Sequence, residues 1–372
     1  MTDGKYHYIN KSGKDLGMAD EKGAEYITFS EGLAIREQTD FPYVLLDKTG
    51  KTLKTLADCG GIFNYSEGIA GVKSASSSLY GFVDIQGTQI IPYAYTGFTG
   101  FNDGISRVSK TVGNKTKYGY ISSKGEIILP IEYDDVYVFS DGWGMVKKDG
   151  NYFFVDKKGT LKEAPRKYDL LLEFHSGMAM GKVNGAQGEP ATFYYINTSL
   201  KEEFSLQLKE AYSFWDNIAV VKRDKDFELM NRKGEIYKTL ADIEQLRFCA
   251  DGAFAIKKGG KWGFIDSKGK EITANVYDSC SSFDNGIAKV RSGKKWGLVD
   301  KTGKEIIAPK YDNLVTGDNG LVLFQDTYWG LLDKTGKILL PPTYFSLTSF
   351  KQDRALGKSA KQFIILKAPS PK

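Results

Sequence analysis

One phrase recurs ten times along the 372 residues: an aromatic, a small residue, two hydrophobics, a polar residue and then a turn glycine. The clearest copies run Trp262–Gly269, Trp296–Gly303 and Trp329–Gly336, and weaker ones begin at Tyr6, Tyr43, Tyr80, Tyr118, Tyr152, Phe193 and Phe227. Turn glycines mark nine slots, from Gly13 to Gly336, and Leu200 holds the sixth. Successive copies lie 33 to 41 residues apart. A period of this size signals a repeat architecture, in which the best-kept residues of each unit have structural duties. That lowers the expectation of an enzyme.

Each unit reads as three short strands. Lys261–Asp266 is rich in aromatic and branched residues and forms strand a. Asp266-Ser267-Lys268-Gly269 is a tight turn, and Glu271-Ile272-Thr273 returns as strand b. Proline follows in several copies (Pro92, Pro130, Pro165, Pro309, Pro341) and is expected to mark where strand b leaves the sheet. Next comes Tyr-Asp, as in Tyr133-Asp134 and Tyr277-Asp278, then an aromatic such as Phe139 or Phe283. A second polar turn, Ser66-Glu67-Gly68 or Asp284-Asn285-Gly286, leads into strand c, Ile69–Val72 or Ile287–Val290. No stretch sustains a 3.6-residue period, so helices should be few. A lone unit cannot stand. Each good anchor contributes roughly 1.5–3 kcal/mol, against roughly 1–2 kcal/mol of backbone entropy for each ordered residue. Neighbouring units must therefore share a core.

The pattern Lys-Trp-Gly-Phe-Ile-Asp-x-x-Gly-Lys-Glu-Ile, then Tyr-Asp, then Phe-x-x-Gly-x-Ala-x-Val spans Lys261–Val290 and resembles the bacterial WG-repeat (KWG-repeat) family. The likeness is strongest over Lys261–Pro341, good over Tyr80–Asp156 and poor over Phe193–Phe248, where no Tyr-Asp is visible. The resemblance implies a β-rich repeat protein and an interaction role, and it carries no catalytic residues. The expected fold is all-β: about ten three-stranded units over residues 1–367, in an open, twisted solenoid-like stack. A closed propeller-like ring is the alternative. Phe363–Leu366 reads as a terminal half-unit and 368–372 as a disordered tail.

Candidate chemistry is sparse. Asp47, Asp84, Asp156, Asp266, Asp300 and Asp333 each precede a glycine turn without calcium-loop spacing, so turn formation is expected of them rather than metal binding. The second-turn acids Glu31, Glu67, Asp103, Asp141 and Asp284 read the same way. Cys59, Cys249 and Cys280 form no CxxC pair and are expected as buried free thiols. No cofactor is expected. The net charge of +5 is spread along the chain, which gives little reason to expect nucleic acid. No apolar run is long enough to span a membrane. Met1–Asn10 has no apolar h-region, which points to the cytoplasm, with export after removal of a signal as the alternative.

Function is expected where the repeat breaks. Three connections from strand c to the next strand a are long: Val72–Tyr80, Val108–Tyr118 and Gly181–Phe193. They carry Asn114, Lys115, Asn184 and Gln187, and equivalent loops of an array share one edge. Trp143 and Trp215 lie outside the repeated phrase, and His175 replaces the usual polar residue of the second turn. These seven residues are the candidate partner contacts of a non-enzymatic, protein-binding scaffold. A glycan or cell-envelope module using exposed aromatics is the alternative, and an enzyme with its site in 174–249 is a third possibility.

Overall fold

The computed structural model describes residues 6–9, 15–19, 27–31, 33–38, 41–47, 52–249, 252–317, 320–347, 354–359 and 363–367. The expected tail at 368–372 lies outside them. Among the described residues every regular element is a β-strand, and no helix is long and apolar enough to cross a membrane. The strands form ten small antiparallel sheets that follow one another along the chain. Eight have four strands, the first has two and the last has six. Every strand order is linear, so no sheet closes into a barrel.

Each four-stranded sheet is out of phase with the repeated phrase. In the sheet containing Trp262 the order is Gln245–Cys249, Ala253–Lys258, Lys261–Asp266, Glu271–Tyr277. Strand c of one unit thus pairs with strand a of the next and shares a sheet with its strand b. A further strand, here called the lead strand, precedes c and completes the sheet. The expected three strands per unit are present, and the lead strand makes a fourth. It is often only two residues long (Gly97–Phe98, Asp135–Val136, Ser279–Cys280), too short to leave a sequence pattern. Sheets are named below by the aromatic that opens strand a.

The turns follow from their residues. In the a–b turn, Asp266 Oδ1 accepts from the N–H groups of Lys268 (2.9 Å) and Lys270 (2.8 Å), and Gly269 has φ 73°. Asp84, Asp156, Asp300 and Asp333 repeat this Asx arrangement. In the second turn Glu67 (φ 55°) and Gly68 (φ 77°) are both left-handed, and Ser66 and Ile69 exchange both backbone bonds, as a type I′ turn requires.

The Trp-Gly glycine has a specific cause. Trp262 pairs with Tyr277, Phe264 with Thr273 and Ile265 with Glu271, so strand b carries two extra residues opposite Gly263. This bulge passes over the glycine: a Cβ on Gly263 would lie 2.7 Å from the Ala274 carbonyl oxygen. The same register recurs at Gly81, Gly119, Gly297 and Gly330. Pro92, Pro130, Pro309 and Pro341 sit inside the bulge, and strand b continues beyond them to the Tyr of Tyr-Asp. The expectation that proline ends strand b is therefore corrected at these four; at Pro165 it holds, because strand b of the Tyr152 sheet ends at Glu163. A bulge leaves a donor unpaired, so proline costs little there.

The Tyr43, Tyr152 and Phe193 sheets have Val44, Phe153 and Tyr194 in place of that glycine. Their a–b pairing runs without the two-residue bulge.

Contacts divide the chain into two compact units, one of residues 26–47 and 52–239, the other of residues 1–25, 48–51 and 240–372. In both, the cores form between consecutive sheets. Phe82 and Ile91 of the Tyr80 sheet pack with Val108 and Ile121 of the Tyr118 sheet. Phe264 and Tyr277 pack with Ala288 and Val299 in the other unit. Cys59, Cys249 and Cys280 are buried free thiols, and desolvation raises the Cys59 and Cys280 thiols to about 11. Phe363–Lys367 is the last strand of the six-stranded sheet, so the expected half-unit extends the last full one.

Candidate interaction surface

The connections between sheets explain most of the recurrent polar residues. The Asp of Tyr-Asp secures the c–a hairpin of its neighbouring sheet. Asp278 accepts from Gly293 N–H (2.6 Å) and pairs with Lys261. Asp134 accepts from Asp149 N–H (3.0 Å) and pairs with Lys117 at 2.6 Å. Hydrogen bonds from Lys261 and from Gly293 hold Asp278 below the usual carboxylate range. The second-turn acids do more than turn. The Glu67 carboxylate accepts from Asp103 and Gly104 N–H (2.8 and 2.9 Å), Glu31 from Gly68 N–H (2.7 Å), and Asp141 from Gly177 N–H (2.8 Å). They tie successive second turns together, a duty the sequence reading did not foresee. Among the described residues no group of three His, Cys, Asp or Glu converges as a metal site.

The three long connections are all c–a hairpins of the larger unit, and they are built differently. Ser74–Leu79 folds around Asp58, which accepts from Ser74 Oγ (3.0 Å) and Ser76 N–H (3.0 Å). Desolvation opposes ionisation of Asp58, but hydrogen bonds from Ser74, Ser76 and Ala75 outweigh it and lower its pKa. The second is an extension of the ladder itself: Thr111 pairs with Thr116 and Val112 with Lys115, leaving Gly113-Asn114 at the tip. Asn114 and Lys115 are exposed there. The third, Asn184–Pro190, is anchored by Asn184 N–H to Asp169 Oδ2 (2.7 Å) and leaves Gln187 exposed. Beside it opens a cleft of about 950 Å³, lined by Glu189, Pro190, Gln207, Lys209, Arg223 and Lys225 among others.

The structure brings together two of the remaining candidates. His175 and Trp215 occupy the same second-turn position in adjacent sheets and stack with centroids 4.4 Å apart. Trp215 is 51% exposed, the one tryptophan of the five in the exposed class. Trp143 stands elsewhere and is a structural bridge: its Nε1–H donates to Thr198 O (2.9 Å) and its ring meets Phe154 edge-on. The hairpin-tip residues Asn114, Lys115 and Gln187 make no part of either cluster.

The repeated aromatics are covered. Arg247 lies over Trp262 at 4.0 Å, Lys289 over Trp296 at 5.5 Å and Arg107 over Tyr118 at 5.3 Å. Trp262 is buried and Trp296 and Trp329 half-buried, in accord with packing rather than a row of solvent-facing rings. An unforeseen feature lies at the Tyr80 sheet. Phe63, Tyr80 and Phe98 meet with centroid distances of 5.2–5.8 Å and line a cleft of about 520 Å³.

The fold and its surface define a class: an all-β protein of tandem small antiparallel sheets whose cores lie between successive sheets. The WG-containing repeat matches residues 80–114, 118–152, 262–296, 296–325 and 329–356. The chain belongs to the WG-repeat family. All five matches begin at the aromatic of a bulged, glycine-bearing sheet. Among curated proteins none matches. Of solved structures, a eukaryotic initiation factor is similar with 12% identity and a TM-score of 0.45, over 91% of this chain and 96% of that one. The computationally designed Ika8 protein is similar at 14% identity and TM-score 0.34, over 84% and 93%. BamB from Moraxella catarrhalis is similar at 11% identity and TM-score 0.33, over 66% and 84%.

Proposed function

We propose that this chain is a non-enzymatic scaffold that binds another protein along the c–a hairpins of its larger unit. The observation that carries this reading is that all three long connections fall in that one hairpin position, and the third of them borders a cleft of about 950 Å³. Equivalent loops of a repeat array are its usual binding elements. The His175–Trp215 pair supplies a rigid, exposed aromatic of the kind that dominates protein interfaces. The covered state of Trp262, Trp296 and Trp329 weighs against a glycan module built on stacked rings.

The test is affinity capture with the wild-type chain and a variant whose three long hairpins are cut to the standard length, its folding checked by circular dichroism. A protein retained by the wild type and lost by the variant is the expected result. Equal capture by both would sink the hairpin-edge assignment. Capture of glycan and of no protein would favour the cell-envelope alternative.

A further inference from the structure

Three sheets share a device that a fourth lacks. In the Tyr118 sheet, Arg107 lies over the Tyr118 ring and donates to Val136 O at 2.9 Å. In the Trp262 sheet, Arg247 lies over Trp262 and donates to Cys280 O at 3.2 Å. In the Trp296 sheet, Lys289 lies over Trp296 and donates to Leu314 O at 3.1 Å. Each time a cation fills the slot between the opening aromatic and the lead strand of the next sheet. It comes from strand c (Arg107, Lys289) or from the lead strand opposite c, where Arg247 pairs with Ala255.

In the Tyr80 sheet both sources are replaced. Gly71 holds the strand-c position, and Phe63, whose N–H donates to Gly71 O at 2.9 Å, holds the lead-strand position. The next lead strand lays Phe98 directly on Gly71, where a Cβ would be 2.0 Å from the ring. The slot is therefore walled by Phe63, Tyr80 and Phe98, and among the described residues no cation stands over any of them. Phe63 is 44% exposed at its mouth. Aromatic faces carry negative potential and attract ammonium and guanidinium groups within about 6 Å of the ring centre.

We propose that this cleft receives an arginine or lysine side chain of a protein partner, the occupant that the chain supplies to itself in the three other sheets. This rests on the scaffold reading, and Tyr80 is where the Ser74–Leu79 hairpin re-enters the sheet, on the proposed binding edge.

The test uses the full chain and a displayed library of random peptides. Phe63→Arg copies Arg247 and fills the slot from within, so it serves as the counter-target, and Phe63→Ala serves as a second variant should the first fail to fold. Peptides that bind the wild type and lose affinity for either variant should each contain an Arg or Lys. Replacing that residue by Ala should weaken binding about tenfold. Variant-sensitive peptides with no essential cation would overturn the proposal, as would the absence of any variant-sensitive peptide. Peptides lost on hairpin shortening but indifferent to Phe63 would overturn it while leaving the scaffold reading standing.

Discussion

The bulged and the plain sheets solve one problem in two ways. A strand a buried on both faces must hold its returning strand b and still lie close to the next sheet. In the Tyr80, Tyr118, Trp262, Trp296 and Trp329 sheets this is done by backbone: a glycine, a two-residue bulge over it and a tyrosine opposite the aromatic. In the Tyr152 and Phe193 sheets the bulge is missing and side chains take over. Strand b of the Tyr152 sheet ends at Glu163, and Tyr168 packs instead on Gly181 and edge-on to Tyr194 of the next sheet. Its hydroxyl and Arg166 both bind Glu202. The backbone solution leaves a repeated signature. The side-chain solution leaves none, and the family match skips these sheets.

The sharpest break of this comparison is a single carbon. Gly119→Ala places a Cβ 2.6 Å from Leu129 O and 2.7 Å from Pro130 O, main-chain atoms pinned by the bulge. The expected cost is about 3 kcal/mol or more. Val44→Ala removes two carbons from the same position of a plain sheet in the same compact unit and should cost about 1–2 kcal/mol. Chemical denaturation followed by circular dichroism ranks the two. If the valine deletion is the more damaging, the glycine is not held by the bulge.

Next in size is Trp143→Ala, about 2 kcal/mol, from loss of the Thr198 bond and the Phe154 contact. These are attachments between plain sheets, so a loss under about 0.5 kcal/mol would mean that the side-chain solution lies elsewhere.

These cases also show what the sequence could tell. The period, the Asp-x-x-Gly turns and the shared cores were legible because each depends on a local rule: strand alternation, an Asx turn, an anchor too weak alone. The lead strand was not, since Gly97-Phe98 carries no pattern and is a strand only because Val108 and Ser109 lie beside it. Nor was the equivalence of Leu208-Lys209 and Ile243-Glu244 to Tyr-Asp. Lys209 and Glu244 make the same backbone bond to strand c as Asp278 does, through Lys222 O, Lys257 O and Arg291 O, which only pairing reveals. Of the candidate contacts, the His175–Trp215 stack needed the two second turns to be set side by side. The Phe63 cleft was written in the sequence as Gly71 where Arg107 and Lys289 stand. That signal becomes readable once the cations are seen to sit over rings.

A third prediction separates charge from shape in the plain sheets. Glu202 is partly desolvated, which disfavours its charge, yet bonds from Arg166 and Tyr168 outweigh that and hold its pKa below the ordinary value. Its folded pKa is thus lower than its unfolded one. The stabilisation is present above about pH 4.5 and is lost as pH falls through the depressed value. Because Arg166 is well exposed, Glu202→Gln should cost only about 1 kcal/mol at pH 7. Wild type and variant should converge in acid, once pH has fallen below the depressed value and Glu202 is protonated in the folded chain too. A gap that persists in acid would assign the role of Glu202 to packing.

The smallest effect on stability is expected at Trp215, and it is the most informative for function. The motif tryptophans of the bulged sheets are sunk beside cations or in cores. Trp215 leads into strand c of the Phe227 sheet, is half exposed and, among the described residues, stacks on the His175 ring and no other aromatic group. Trp215→Ala should therefore change stability by about 0.5–1 kcal/mol at most. An aromatic that contributes so little to the fold, yet is held rigid by stacking, has paid little entropy still to be lost on binding. If it is a contact, the variant should lose at least tenfold in affinity for the captured partner with its unfolding midpoint nearly unchanged. Unchanged affinity at unchanged stability would remove the stack from the binding edge and leave the hairpins to carry it. A large loss of stability would make Trp215 a structural attachment between sheets, on the same footing as Trp143.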